Sequence, residues 1–489
     1  MRLKTQNEIS DFSAQFLSGI RNAYYKSSGN NGERLNLQKL YSGYTKLFSP
    51  LTLKTLLHQL STDVNENKRL NYLTEFISVE CVNYPLLPLK QQLFDLKSQM
   101  FDLADGNRLS YYGIKQRLFW GEANEKAEMD NVLKQFTENE INSLLLEIFQ
   151  CETEAINELG YIEHAEMFYM LTRIDPIVWR NSAEKFLTDT SEAYFRNLHD
   201  LKNRHFGGND RVLSRDDLFK LLWVQSDHDC FKSIDPLDLF YKLKKRTETV
   251  LHSESIKLDF SDNNIRSFCS VLQVPNDIRL VIGKGRGFHQ IRDLMHELGH
   301  ALHHASVDEN LPFEFSMLGD ESVTESYAAL LENLLYDPCW LQSEIHIDEI
   351  QKSELISYLK FYKLTKLRSI ALKAIYDIDH YSGSSDEVLK SNYILYHRQY
   401  LGVDVKEYEY LSETEPFLFS IRYFRAQILA SSIRRKLETS YGSKWFENSE
   451  AFKELSGLWR SGQKYSPEEI SETFCSTKLN ELDLSSDFI

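Results

Sequence analysis

Residues 296 to 300 read His-Glu-Leu-Gly-His, and a second acidic stretch, Thr324-Glu-Ser-Tyr-Ala-Ala-Leu-Leu-Glu332, follows downstream. On an α-helix, residues four apart lie roughly 6 Å apart along the axis on nearly the same face. His296 and His300 can therefore reach one metal ion while Glu297 projects toward a water bound to it. Hydrolytic zinc takes three protein ligands, favouring imidazole nitrogen and carboxylate oxygen, and keeps one position open. A carboxylate from the second stretch completes such a set for one Zn2+ per chain. The cation would lower the pKa of its water to roughly 7, where Glu297 can serve as general base. The chemistry predicted is addition of water to a carbonyl.

Two acids compete for the third ligand position. Glu325 is expected over Glu321 because it lies deeper in the helical run that ends at Asp337-Pro338. Glu325, Ala328 and Glu332 fall at i, i+3 and i+7, so they share one stripe, and a small residue between two acids suits close approach by a partner helix. Ser322-Val-Thr-Glu325 also fits a capping box, which would make Glu325 a helix start signal. Glu332 is the candidate for orienting a ligand imidazole through its other nitrogen. His303 and His304 are expected not to ligate, since that would require the helix to bend. His289, His380 and His397 are expected to be structural.

These residues resemble the thimet oligopeptidase and oligopeptidase F family of zinc peptidases within the gluzincins. The resemblance is carried by His296-Glu-Leu-Gly-His-Ala-Leu-His-His304, by Glu325-x-x-Ala328-x-x-x-Glu332, and by Leu367-Arg-Ser-Ile-Ala-Leu-Lys-Ala-Ile-Tyr-Asp-Ile-Asp-His380. It covers residues 255 to 475, most strongly at the metal helices. It implies a mainly α, two-lobed helical clamshell with a zincin-like catalytic lobe. A deep channel, with zinc at its floor, would admit short unfolded peptides. Family members carry a His and a Gly-Gly-Tyr segment that face the tetrahedral oxyanion, and the corresponding stretch here, Glu415 to Leu429, has neither. Tyr423 and its neighbour Arg422 are the candidates to stabilise that charge. The expected function is zinc-dependent oligoendopeptidase action with Glu297 as base. One alternative is a metallocarboxypeptidase, in which Arg422 or Arg425 captures a terminal carboxylate. Another is a peptide-binding scaffold that keeps zinc for structure.

The elements that must position these groups are legible in outline. Leu and aromatic residues recur at three and four spacing up to about residue 250, which predicts helices. Polar or glycine-rich breaks fall at Ser27-Ser-Gly-Asn-Asn-Gly-Glu, Ala104-Asp-Gly-Asn and Phe206-Gly-Gly-Asn-Asp. The last is the expected boundary between an N-terminal helical lobe, 1–210, and a catalytic lobe, 211–489. Alternating and β-branched runs between 256 and 282 predict a small sheet before the metal helix, with an edge to which an extended peptide can add. Gly283-Lys-Gly-Arg-Gly287 then reads as a flexible connection, with Lys284 and Arg286 as candidate substrate contacts.

A net charge of -16 disfavours nucleic acid and anionic membranes as partners. Hydrophobic residues make up 42% of the chain, enough for a substantial core. Six cysteines without paired spacing, no apolar run long enough to span a bilayer and no apolar leader predict reduced thiols and cytoplasmic residence.

Overall fold

The computed structural model describes residues 3, 5–28, 35–59, 63–103, 106, 108–120, 123–207, 212–226, 229–247, 254–261, 267–285, 287–345 and 349–488. Helices dominate throughout, and the strands form one three-stranded sheet and two two-stranded pairs among these residues. The mainly α class with small sheets is thus the one expected.

Six helices matter to the site. They are α1 (Gln6–Ser28), α2 (Val64–Ser98), α3 (Phe288–Ser306), α4 (Glu321–Glu332), α5 (Glu349–Tyr381) and α6 (Phe419–Tyr441). The sheet comprises β1 (Ile256–Phe260), β2 (Phe268–Gln273) and β3 (Asp277–Ile282). β3 is central, parallel to β1 and antiparallel to β2, with Ile256 opposite Ile278 and Phe268 opposite Val281. Its run of apolar residues, buried from Leu280 to Ile282, is what a strand covered on both faces requires.

α3 begins where the glycine-rich connection ends. Gly287, at φ 69 and ψ -150, occupies a region that is essentially closed to residues with a β-carbon, so the turn from sheet to helix needs glycine there. Ile291, Leu294, Met295, Leu298 and Leu302 are buried at three and four spacing, which fixes the face that α3 presents to the core. Lys284 is exposed, and Arg286 lies outside the described residues.

The largest apolar core runs from Phe168 to Leu484 and contains the buried faces of α3, α4, α5 and α6. A smaller core joins Ile9 and Phe16 of α1 to Leu70, Leu73 and Ile77 of α2, and takes in Leu318 from the approach to α4. α1 also lies against β2. Ser18 Oγ donates to the Leu272 carbonyl at 3.1 Å and Arg21 donates to that of Val271 at 3.4 Å, so α1 lies on this stretch of β2, one of the two edge strands of the sheet. Of the three expected breaks, the first begins within the last turn of α1 and the last begins at Phe206, the final residue of a helix; residues 29–34, 104–105, 107 and 208–211 lie outside the described residues. No helix among the described residues is long and apolar enough to cross a membrane.

Candidate metal centre

α3 and α4 cross at unusually close range. A β-carbon placed on Gly299 would stand 2.5 Å from the Ala328 Cα and 2.6 Å from the Tyr327 carbonyl oxygen, so the glycine inside His-Glu-Leu-Gly-His is required by the crossing. That contact brings the Glu325 stripe over the two histidines. His296 Nε2 lies 3.6 Å and His300 Nε2 3.8 Å from the Glu325 carboxylate, and one ligand atom from each of the three residues falls within 4.8 Å of the others. Donors about 2.0–2.1 Å from a tetrahedral zinc ion stand roughly 3.3 Å apart, so the triad is only slightly wider than a filled site needs. Among the described residues this is the one group of three or more such side chains gathered closely enough for a metal ion.

The other imidazole nitrogens are committed elsewhere, which is a second test of fit. His296 Nδ1 lies 3.1 Å from Glu332 Oε2, and His300 Nδ1 lies 2.9 Å from Thr324 Oγ1. With Nδ1 protonated and donating in both rings, each Nε2 offers its lone pair to the centre. Thr324 then has its own proton left for His304 Nε2, 3.5 Å away. The opposite tautomers would turn two N–H groups toward the Glu325 side and leave no lone pair for a cation. The residues present fit a divalent metal.

Glu332 is itself anchored. Its other oxygen accepts from Tyr336 Oη at 3.1 Å and from Lys366 Nζ. Burial alone would raise its carboxyl, but Lys366, His296 and Arg292 outweigh burial and hold it well below the usual carboxylate range. It therefore stays anionic beside His296. Burial also lowers the His296 imidazole, but Glu332 and Glu325 reverse that and raise it. His300 lies well below its ordinary value because of burial and the neighbouring His296 and His303.

Glu297 lines a cavity of about 380 Å³ together with His296, Ser267, Arg292, Glu332 and Lys366. A second cavity, of about 470 Å³, has Thr324 and His304 on its wall. The first hollow reaches His296, and the second reaches the site through Thr324, the partner of His300.

The remaining sequence candidates fall as follows. Glu321 opens α4 and pairs with Arg422 instead of joining the triad. The helix is capped by Asp320, whose carboxylate accepts from Ser322 N at 2.9 Å, in place of the capping box that Ser322 and Glu325 allow, and Glu325 faces the histidines. Arg422 is buried between Glu75 of α2 and Glu321, and it lines the second cavity. Arg425 is held by Asp320 and Glu468. Tyr423 is partly exposed on α6, its ring edge-on to Phe419 at 4.8 Å. His303 and His304 are buried behind the triad, and His380 packs in an aromatic cluster with Phe149 and Tyr381. His289 stacks on Trp223, and His397 bonds the Tyr393 carbonyl.

Sequence reading missed Thr324 and Lys366. Thr324 directly precedes Glu325 and Lys366 directly precedes the Leu367 segment, yet no spacing rule marks either residue.

No protein-family model matches the chain, and no curated protein matches it. Solved structures do. The fold is similar to that of the carboxypeptidase of Pyrococcus furiosus, with TM-score 0.60 and 12% identity over 100% of this chain and 99% of that one. It is similar also to the M32 carboxypeptidase of Deinococcus radiodurans R1, at TM-score 0.57 and 13% identity over 98% and 96% of the two chains. PZ peptidase A gives TM-score 0.70 and 14% identity over 98% and 90%. At such identities the likeness is one of fold. The thimet oligopeptidase and oligopeptidase F resemblance stays with the motifs that carry it.

Proposed function

We propose that the chain is a zinc-dependent metallopeptidase that removes residues from the C-terminus of short peptides. The observation that carries the peptidase reading is the convergence of His296 Nε2, His300 Nε2 and Glu325 beside a cavity lined by Glu297. A divalent cation held there would supply Lewis acidity for the scissile carbonyl and lower the pKa of water. Glu297 takes the proton of the attacking water on its carboxylate and returns it to the leaving amine nitrogen. Glu332 and Thr324 hold the two imidazoles in the tautomer that the site requires.

Carboxypeptidase action, rather than the oligoendopeptidase action expected from motifs, is supported by the likeness in fold to two proteins named as carboxypeptidases, over nearly the full length of each. An endo-acting peptidase is the second reading. It is favoured by the motif resemblance carried by His296 to His304 and by Glu325 to Glu332.

Glu297→Gln should retain zinc, measured by metal analysis, and lose about 10² to 10⁴ in the rate of peptide hydrolysis. A variant that remains active removes Glu297 from the role. Mass spectrometry of digests of one peptide as free acid and as C-terminal amide separates the two modes. Stepwise loss of residues from the acid alone supports the carboxypeptidase, and internal cuts in both peptides support the endopeptidase.

A further inference from the structure

Among the described residues the second cavity is walled by three cations and by the carboxylates of Glu75, Glu80 and Glu321, and two of the cations are already matched. Arg422 lies between Glu75 and Glu321. Lys90 donates to Asn83 at 2.7 Å and stands 4.0 Å from Glu152. Arg21, on α1, instead meets neutral acceptors, the Val271 carbonyl at 3.4 Å and Met317 Sδ at 3.6 Å, and no carboxylate among the described residues lies within ion-pair distance of it. A guanidinium carries five donors in a planar fork that matches a carboxylate, and leaving it unpaired in a part-buried wall is costly unless an anion arrives.

The cavity is placed to receive that anion from a substrate. It meets the metal centre at Thr324, the residue that orients His300. Burial lowers the Arg21 guanidinium to about 10, with Cys269 and Glu321 opposing, which leaves it charged at neutral pH. Leu17, Phe76, Val79, Leu318 and Phe419 supply apolar walls for a side chain next to the anion.

We propose that Arg21 receives the free α-carboxylate of the peptide substrate in the cavity on the Thr324 side of the metal centre, with the terminal side chain against the apolar walls. This makes a helix from the extreme N-terminal part of the chain, and neither Arg422 nor Arg425, the determinant of C-terminal specificity. The proposal rests on the peptidase reading but is tested by binding, not turnover.

The probe is acetyl-Ala-Ala-Ala-Phe as free acid and as C-terminal amide, titrated calorimetrically into the zinc-loaded Glu297→Gln protein, which would hold the peptide without cleaving it. The acid should bind at least about 10-fold tighter than the amide, the size expected of one charge-assisted contact. Adding Arg21→Gln should bring the two affinities together, mainly by weakening the acid, while amide binding stays within about 2-fold. Equal binding of acid and amide before that change overturns the proposal, as does an acid preference that survives it. Should Arg21→Gln fail to fold, Arg21→Lys decides. The ammonium keeps the charge but loses the fork, so the acid preference should fall about 3- to 10-fold, and an unchanged preference overturns the assignment. The peptidase reading fails separately, if zinc-loaded wild-type protein leaves both peptides intact while the preference for the acid persists.

Discussion

Each imidazole of the 296 and 300 pair has one nitrogen committed to a protein partner, and this makes the partners as testable as the ligands. In Glu332→Gln the amide oxygen can still accept from His296 Nδ1, but the negative charge shared with Lys366 and Arg292 disappears. Zinc affinity should drop about 10- to 100-fold in chelator competition. An unchanged affinity would reduce Glu332 to a packing residue. A second residue governs pH dependence away from the centre. Asp377 of α5 is fully buried and accepts from Glu415 N at 3.3 and 3.4 Å, and burial, against the pull of Lys373, pushes its carboxyl up to about 8. Between roughly pH 4, where an unfolded aspartate releases its proton, and about 8, the folded chain holds a proton the unfolded one has lost. Stability contributed by that proton is complete at low pH, declines as pH rises through the window, and levels off above it. Asp377→Asn should flatten this decline, by up to about 1.4 kcal/mol per pH unit, in denaturation midpoints taken from pH 5 to 9. At this scale the convergence of His296, His300 and Glu325, with Glu297 beside them, was readable because metal chemistry restricts residue type and helical spacing together. Thr324 and Lys366 were not, since orienting an imidazole takes only a hydroxyl or a charge that many positions could offer.

Two helices do most of the positioning. Gly299 and Ala328 let α3 and α4 touch backbone to backbone. Gly299→Ala would put its β-carbon against the Ala328 Cα and Tyr327 carbonyl, which are backbone atoms and cannot rotate away. The helices must separate, at a cost of about 1–3 kcal/mol. Both the thermal midpoint of the apo protein and its zinc affinity should fall, because Glu325 rides on the helix that moves. A loss of stability with unchanged affinity would show that the triad tolerates the shift. The small residue between Glu325 and Glu332 signalled this approach in the sequence, whereas the matching glycine lay unnoticed inside the metal motif. Of the two roles the sequence allowed Glu325, the capping box gave way for a local reason. Asp320 and Ser322 are both good caps, and only the backbone geometry decides that Asp320 accepts from Ser322 N. The sheet was legible because its alternating and β-branched runs stand out among amphipathic helices. That α1 would lie on its β2 edge was not, since nothing local encodes which helix covers a strand.

Across the whole molecule, the first hundred residues are fastened to the site by buried charge as well as by apolar contact. Arg69 of α2 donates from Nε to Glu314 at 3.1 Å, and the Glu314 side chain is 0% exposed. Arg69→Met would strand that carboxylate, so global stability should fall by roughly 3–5 kcal/mol in chemical denaturation. The double change Arg69→Met with Glu314→Gln should recover part of the loss. If Arg69→Met is neutral, α2 is held by its apolar face alone. Helical character in this region followed from periodicity, but its partners did not, because pairs hundreds of residues apart leave no pattern in a single chain.

Arg422 joins α2 to α4 through two acids of unequal accessibility. The Glu75 side chain is 16% exposed and that of Glu321 47%. Dissolved ions weaken attraction where water reaches and hardly touch it where water does not. A brine would therefore unbutton the Glu321 half of the clasp while Arg422 stayed fastened to Glu75, so the seam between these helices would loosen from the α4 side first.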